Sequence, residues 1–120
     1  MTVSTHVLDS MAGRPASGVT VSLSRLVVTG PLGGAGIGGN EDWMPAGTGE
    51  TDADGRHRFG VRVEAGVYRL TFGTGGYFAA LGVATFYPFV TITFEVRDAA
   101  GHYHVPLLLS PFGYSTYRGS

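Results

Sequence analysis

Between Gly18 and Leu26 the chain alternates with a period of two: Val19, Val21 and Leu23 are apolar, and Thr20, Ser22 and Ser24 between them are polar. Successive side chains of a β-strand point to opposite faces, so this run fits a strand with one face on a core and the other in water. The pattern recurs. Val3–Leu8 sets Ser4, His6 and Leu8 against Thr5 and Val7, and Phe89–Arg97 sets Val90, Ile92, Phe94 and Val96 against Thr91, Thr93, Glu95 and Arg97. Further strands are predicted over 43–50, 58–63, 66–72, 102–110 and 114–118, each bounded by turn residues. Asp9–Ala16 reads as a turn in which Asp9 satisfies nearby N–H groups. Asp54-Gly55 is a hairpin-type signal that leaves Arg56 at the start of the next strand. Only Gly75–Gly82 suits a helix, about two turns long, with Gly82 as its C-cap. Short strands at regular spacing with one short helix predict an all-β sandwich of seven to eight strands, a single domain over residues 1–120.

The remaining composition chiefly excludes. Charges nearly balance at −1, which favours neither nucleic acid nor an anionic membrane surface. With no Cys, disulfides and thiolate chemistry are absent. The most apolar window, 77–94, is broken by Gly82 and Pro88 and falls short of the roughly 20 apolar residues of a membrane helix. Met1-Thr2 leads directly into a strand pattern with no basic or apolar leader, so a cytoplasmic location is expected. The segment 29–40 holds six Gly and reads as a loop. A phosphate cradle would need Lys-Ser/Thr and a following helix, whereas Asn40-Glu-Asp-Trp-Met-Pro45 follows here. Asp52-Ala-Asp54 lacks the remaining ligands of a Ca²⁺ loop and reads as turn chemistry.

Chain ends are usually small and dispensable, but this one is not. Residues 102–120 run His-Tyr-His-Val-Pro-Leu-Leu-Leu-Ser-Pro-Phe-Gly-Tyr-Ser-Thr-Tyr-Arg-Gly-Ser, with two His, three Tyr and an Arg. His102 and His104, two apart on a strand, share a face. This stretch resembles the transthyretin-like 5-hydroxyisourate hydrolases. The resemblance extends in order through Ser4-Thr-His-Val-Leu-Asp9, Gly13-Arg-Pro-Ala16, Thr51-Asp-Ala-Asp-Gly-Arg56, Tyr77-Phe-Ala-Ala80 and Phe86-Tyr-Pro88, about two-thirds of the chain. Phe89 departs from it, standing where a Glu is expected after the Pro.

The resemblance implies a transthyretin-like fold and hydrolysis of 5-hydroxyisourate to 2-oxo-4-hydroxy-4-carboxy-5-ureidoimidazoline in urate breakdown. It implies no cofactor and no metal, and a homotetramer, a dimer of dimers with sites at the dimer–dimer interface. It maps catalysis to His6, Arg56, His104 and Ser120, and substrate binding to His6, Arg56 and Tyr117. The chemistry suits these types. A His near neutrality can take a proton from water, and a permanently charged Arg can polarise a carbonyl. His6 and His104 are expected on adjacent strands, sharing the attacking water, with Tyr117 positioning the ring. His57 is expected as a polar strand neighbour and His102 as support for His104. A Zn²⁺ site at His6, His102 and His104 is the weaker alternative, because no acidic or thiolate ligand joins them. The alternative function is a small-molecule carrier on the same fold, since fold alone does not dictate function. The strands over 90–97 and 114–118 are expected to present free edges that invite pairing with another chain.

Overall fold

The computed structural model describes residues 2–29, 40–97 and 101–119. In chain order its elements are β1 (Thr2–Asp9), β2 (Arg14–Pro15), β3 (Thr20–Thr29), β4 (Asn40–Glu50), β5 (Arg56–Phe59), β6 (Gly66–Phe72), α1 (Thr74–Ala80), β7 (Val90–Val96), β8 (His102–Ser110) and β9 (Gly113–Thr116). One sheet runs β2-β1-β8-β9, with β5 also pairing β1; the other runs β4-β3-β6-β7. The alternation governs the packing. Val3 and Val7 of β1 and Tyr103, Val105, Leu107 and Leu109 of β8 meet Val21 and Leu23 of β3 and Leu70 and Phe72 of β6 in one core. Phe78 of α1 is fully buried against it. The two faces interdigitate as in a β-sandwich.

All eight predicted strands are present, together with the two-residue β2. Two expectations need correction. The strand predicted over 58–63 is β5 and stops at Phe59; Val63 is buried, but from irregular backbone. The Asp54-Gly55 turn does not close a hairpin, because β4 and β5 lie in different sheets and the turn carries the chain across the sandwich. Two-residue turn signals report a tight reversal, and only long-range pairing decides which sheet receives the next strand. The Gly-rich segment expected to loop lies, over 30–39, outside the described residues, and so does 98–100; Thr29 and Asn40 are paired as the ends of β3 and β4. Gly82, at φ 70°, follows the α1 cap residue Leu81 and donates to Ala79, while Val83 donates to Phe78. That double closure is the glycine-ended motif the sequence suggested.

The arrangement that matters most for function is the middle of the first sheet. β1 pairs in parallel with β8 on one side and antiparallel with β5 on the other. Strand positions 100 residues apart are thereby neighbours. β7 and β9 are the edge strands on which free edges were expected.

Candidate active site

Because Val3, Thr5, Val7 and Asp9 fill the core face of β1, Ser4 and His6 point outward. Register then selects their neighbours. Ser4 is opposite His104 on β8 and Arg58 on β5, and His6 is opposite Pro106 on β8 and Arg56 on β5. Adjacent strands lie roughly 5 Å apart, so the three strands bring His6, Arg56 and His104 within about 10 Å on one face. A cleft of about 220 Å³ opens there, lined by Ser4, Thr5, Asp52, Arg56, His57, Arg58 and His104. Its polar groups converge from three strands and one turn.

Arg56 is delivered by that turn. The Asp52 carboxylate accepts from the N–H groups of Asp54 and Arg56, and Gly55 N–H donates to the Asp52 carbonyl. Gly55 has φ 76°, and a Cβ there would lie 2.4 Å from the Val7 carbonyl oxygen, so glycine is required both for conformation and for space. Its own carbonyl accepts from Val7 N–H at 2.7 Å, which locks the turn to β1. The bond from the Arg56 N–H, with further help from the Arg56 and His6 charges, holds the Asp52 carboxyl below its ordinary range. The Asp-x-Asp-Gly-Arg run is therefore a device for aiming a guanidinium.

His104 is half-buried, and its environment is tuned against protonation. Desolvation pushes its imidazole pKa down, and the nearby charges of Arg56, His6 and His102 add to that effect. Its Nδ1 lies 2.8 Å from Ser4 Oγ, and among the described residues no hydrogen bond reaches Nε2. The chain end covers the ring. Gly119 N–H donates to the His104 carbonyl at 2.8 Å, and a Cβ on Gly119 would fall 2.5 Å from His104 Cδ2. An imidazole whose pKa is held down and a permanently charged guanidinium sit on the same face, a pairing suited to water attack on a carbonyl.

Of the residues expected in the site, His6, Arg56 and His104 are brought together, and Ser120 lies outside the described residues. Tyr117 lines a different cleft of the single chain, between β7 and β9, with Ile92, Phe94 and Tyr103. His57 is more than a polar neighbour: its ring packs edge-on against Phe59 and fills the space above Gly49, where a Cβ would lie 2.2 Å away. Asp52, Arg58 and Ser4 line the cleft without having been expected there. The spacing Arg56-x-Arg58 and Ser4-x-His6 put each pair on one face, but only the pairing of β1 with β5 and β8 joins them. Among the described residues, no three of His, Cys, Asp and Glu come together in a way that could hold a metal ion.

These features define a transthyretin-like sandwich with a polar His/Arg face on its β1–β8 sheet. The family model described as "HIUase/Transthyretin family" matches residues 3–119, and the chain belongs to that family. It is 43% identical over 121 residues to a Caenorhabditis elegans protein named "Probable 5-hydroxyisourate hydrolase", covering 98% of this chain and 81% of that one. Among solved structures it is similar to the 5-hydroxyisourate hydrolase of Klebsiella pneumoniae, with a TM-score of 0.79 and 38% identity over 100% of both chains. It is also similar to the transthyretin of Sparus aurata, with a TM-score of 0.80 and 31% identity over 98% of this chain and 95% of that one.

Proposed function

We propose that this protein hydrolyses 5-hydroxyisourate, opening the ring to 2-oxo-4-hydroxy-4-carboxy-5-ureidoimidazoline in urate breakdown. One observation carries the reading: His6, Arg56 and His104 share one outward face across β5, β1 and β8, beside a small polar cleft. Relatives at about this similarity carry the hydrolase name, whereas the transthyretin likeness is one of fold at lower identity. A carrier of apolar ligands has no use for an imidazole and a guanidinium lining one small polar cleft.

In the proposed reaction His6 and His104 share the attacking water, and His104 Nε2 takes its proton. The resulting hydroxide attacks a ring carbonyl, and Arg56 stabilises the developing oxyanion with its fork of donors. The protonated imidazole then returns its proton to the departing ring nitrogen, so that acid and base alternate on one residue. Ser120 and Tyr117 belong to the proposed site by family resemblance, Ser120 holding the water or an imidazole and Tyr117 positioning the ring. No cofactor enters.

The assembly proposed with this activity is a homotetramer, a dimer of dimers whose sites lie at the dimer–dimer interface. Support comes from β7 and β9, both edge strands, and from the exposed Phe89, Tyr114 and Tyr117 around them. In such an assembly Tyr117 would have a neighbour's face to act on. Among the described residues no helix is long and apolar enough to cross a membrane. The test of the activity is the ultraviolet decay of freshly generated 5-hydroxyisourate with and without the protein. Decay accelerated in proportion to protein concentration supports the assignment, and decay at the uncatalysed rate refutes it.

A further inference from the structure

Behind His104 stands a row of groups that the proposed reaction does not use. Ser4 Oγ lies between two imidazoles, 2.8 Å from His104 Nδ1 and 2.9 Å from His102 Nε2. The far nitrogen of His102, Nδ1, is hydrogen-bonded to Thr2 Oγ1. The parallel β1–β8 register places Thr2 opposite His102 and Ser4 opposite His104, so the four side chains form one continuous ladder from half-buried His104 to exposed His102.

A hydroxyl has one proton, and Ser4 cannot donate to both rings. If it donates to His102 Nε2, His104 Nδ1–H donates to Ser4 and His104 Nε2 carries the lone pair. If it donates to His104 Nδ1, the proton of neutral His104 is on Nε2. The first arrangement is a base and the second an acid, and they differ only in the direction of the ladder. We propose that Ser4 and His102 are a proton relay that switches His104 between these forms. This rests on the reading of His104 as the group that activates water.

The proton count closes. Nε2 of His104 takes a proton from water; Nδ1 of His104 gives one to Ser4 Oγ as the Ser4 hydroxyl proton passes to Nε2 of His102. His104 is then neutral with its proton on Nε2, ready to deliver it to a leaving nitrogen, and the positive charge resides on His102. Delivery to the leaving nitrogen reverses the transfers. The relay moves charge in the favourable direction, because His104 is half-buried beside Arg56 of β5 and His6 of β1, while His102 is exposed. Ser4 and His102 are positioning residues in this scheme, acting through His104.

The test combines nitrogen-15 NMR of the histidine rings with kinetics, because the rings can be read whether or not the protein turns over substrate. In the wild-type chain at neutral pH, His104 should be the Nδ1–H tautomer, and its titration should be coupled to that of His102. In Ser4→Ala the coupling should weaken to what the two ring charges exert through space and His104 should lose its Nδ1–H preference, and Ser4→Thr, which keeps a hydroxyl, should restore both. With turnover established, Ser4→Ala and His102→Gln should each lower kcat about 10- to 100-fold with KM little changed. The dependence of kcat on deuterium fraction should go from curved in the wild type to linear in Ser4→Ala. Independent titration of the rings in the wild type, or an Nε2–H tautomer at His104, overturns the relay. Wild-type kcat in both variants does so too. Absence of turnover in the wild-type protein refutes the hydrolase reading, and the ring titrations still decide the relay.

Discussion

Gly119 lies against His104: its N–H bonds the His104 carbonyl at 2.8 Å, and the imidazole occupies the space where a side chain at 119 would begin. The backbone of Gly119 has no positive φ, so the requirement is one of room rather than of conformation. The terminal Tyr-Arg-Gly-Ser run therefore needs its glycine for the ring beside it. Arg118, one residue earlier, stacks over the Tyr103 ring at 4.4 Å and fixes the approach of the chain end.

Gly119→Ala should displace the His104 ring, with Pro106 Cγ the other close neighbour of the added Cβ at 3.3 Å. Misplacing a reacting group by an ångström can cost roughly 100-fold, and a loss of that order in kcat/KM is expected. The thermal stability should fall by no more than about 0.5 kcal/mol, as for substitutions away from the core. Steady-state kinetics and a melting curve on the same preparation check both parts.

The depressed His104 pKa gives the pH dependence a sign. If His104 takes the proton of the water it must do so neutral, so the acid limb of kcat/KM should fall below the free-imidazole value of about 6.5. Removing the Arg56 charge with Arg56→Gln should move the His104 pKa upward, as read by ring NMR. In the folded chain this group binds its proton less readily than in the unfolded one. Its contribution therefore makes stability rise with pH in the window between the two pKa values and flatten above the unfolded one.

Asp52 separates turn-building from charge. Asp52→Ala removes the acceptor of both the Asp54 and the Arg56 N–H groups and should loosen the presentation of Arg56, lowering kcat/KM and stability together. Asp52→Asn keeps an oxygen acceptor and should keep most of both. The Asp52 pKa is depressed, so its contribution to stability is present above its unfolded pKa and is lost as pH falls through the folded value. Acid unfolding of the wild type against Asp52→Asn measures that difference.

Asp9 is almost wholly buried, and its carboxylate accepts from Ala12 N–H at 2.9 Å and from Tyr77 O–H at 2.7 Å. Burial and the neighbouring carboxylate push the Tyr77 pKa up to about 12, so the phenol remains a donor at working pH. This bond ties α1 to β1. Tyr77→Phe leaves a buried carboxylate short of a donor and should cost roughly 1.5–3 kcal/mol in denaturant unfolding. The ring stays in place and turnover should change little.

The sandwich was legible in the sequence because alternation fixes which face of each strand is buried, as Val19, Val21 and Leu23 show. β8 was legible to the residue, since His102–Ser110 runs into the Pro111-Phe112-Gly113 turn, while β9 is Gly113–Thr116 where 114–118 was expected. Pairing was not legible. No local signal tells β1 to run parallel to β8 or tells the Asp54-Gly55 turn to change sheets, because those choices follow from contacts 50 to 100 residues apart. For the same reason His104 could be singled out by residue type and family resemblance, while Ser4, Arg58 and Asp52 gained their places in the cleft only through that pairing.

The role assigned to His104 is chemical and not structural. Its most direct test is turnover of 5-hydroxyisourate by purified His104→Asn, with far-ultraviolet circular dichroism and melting temperature compared with the wild type. A folded variant whose kcat falls about 100-fold or more is the predicted result, in line with the loss of a general base. A folded variant that opens the ring at the wild-type rate contradicts it.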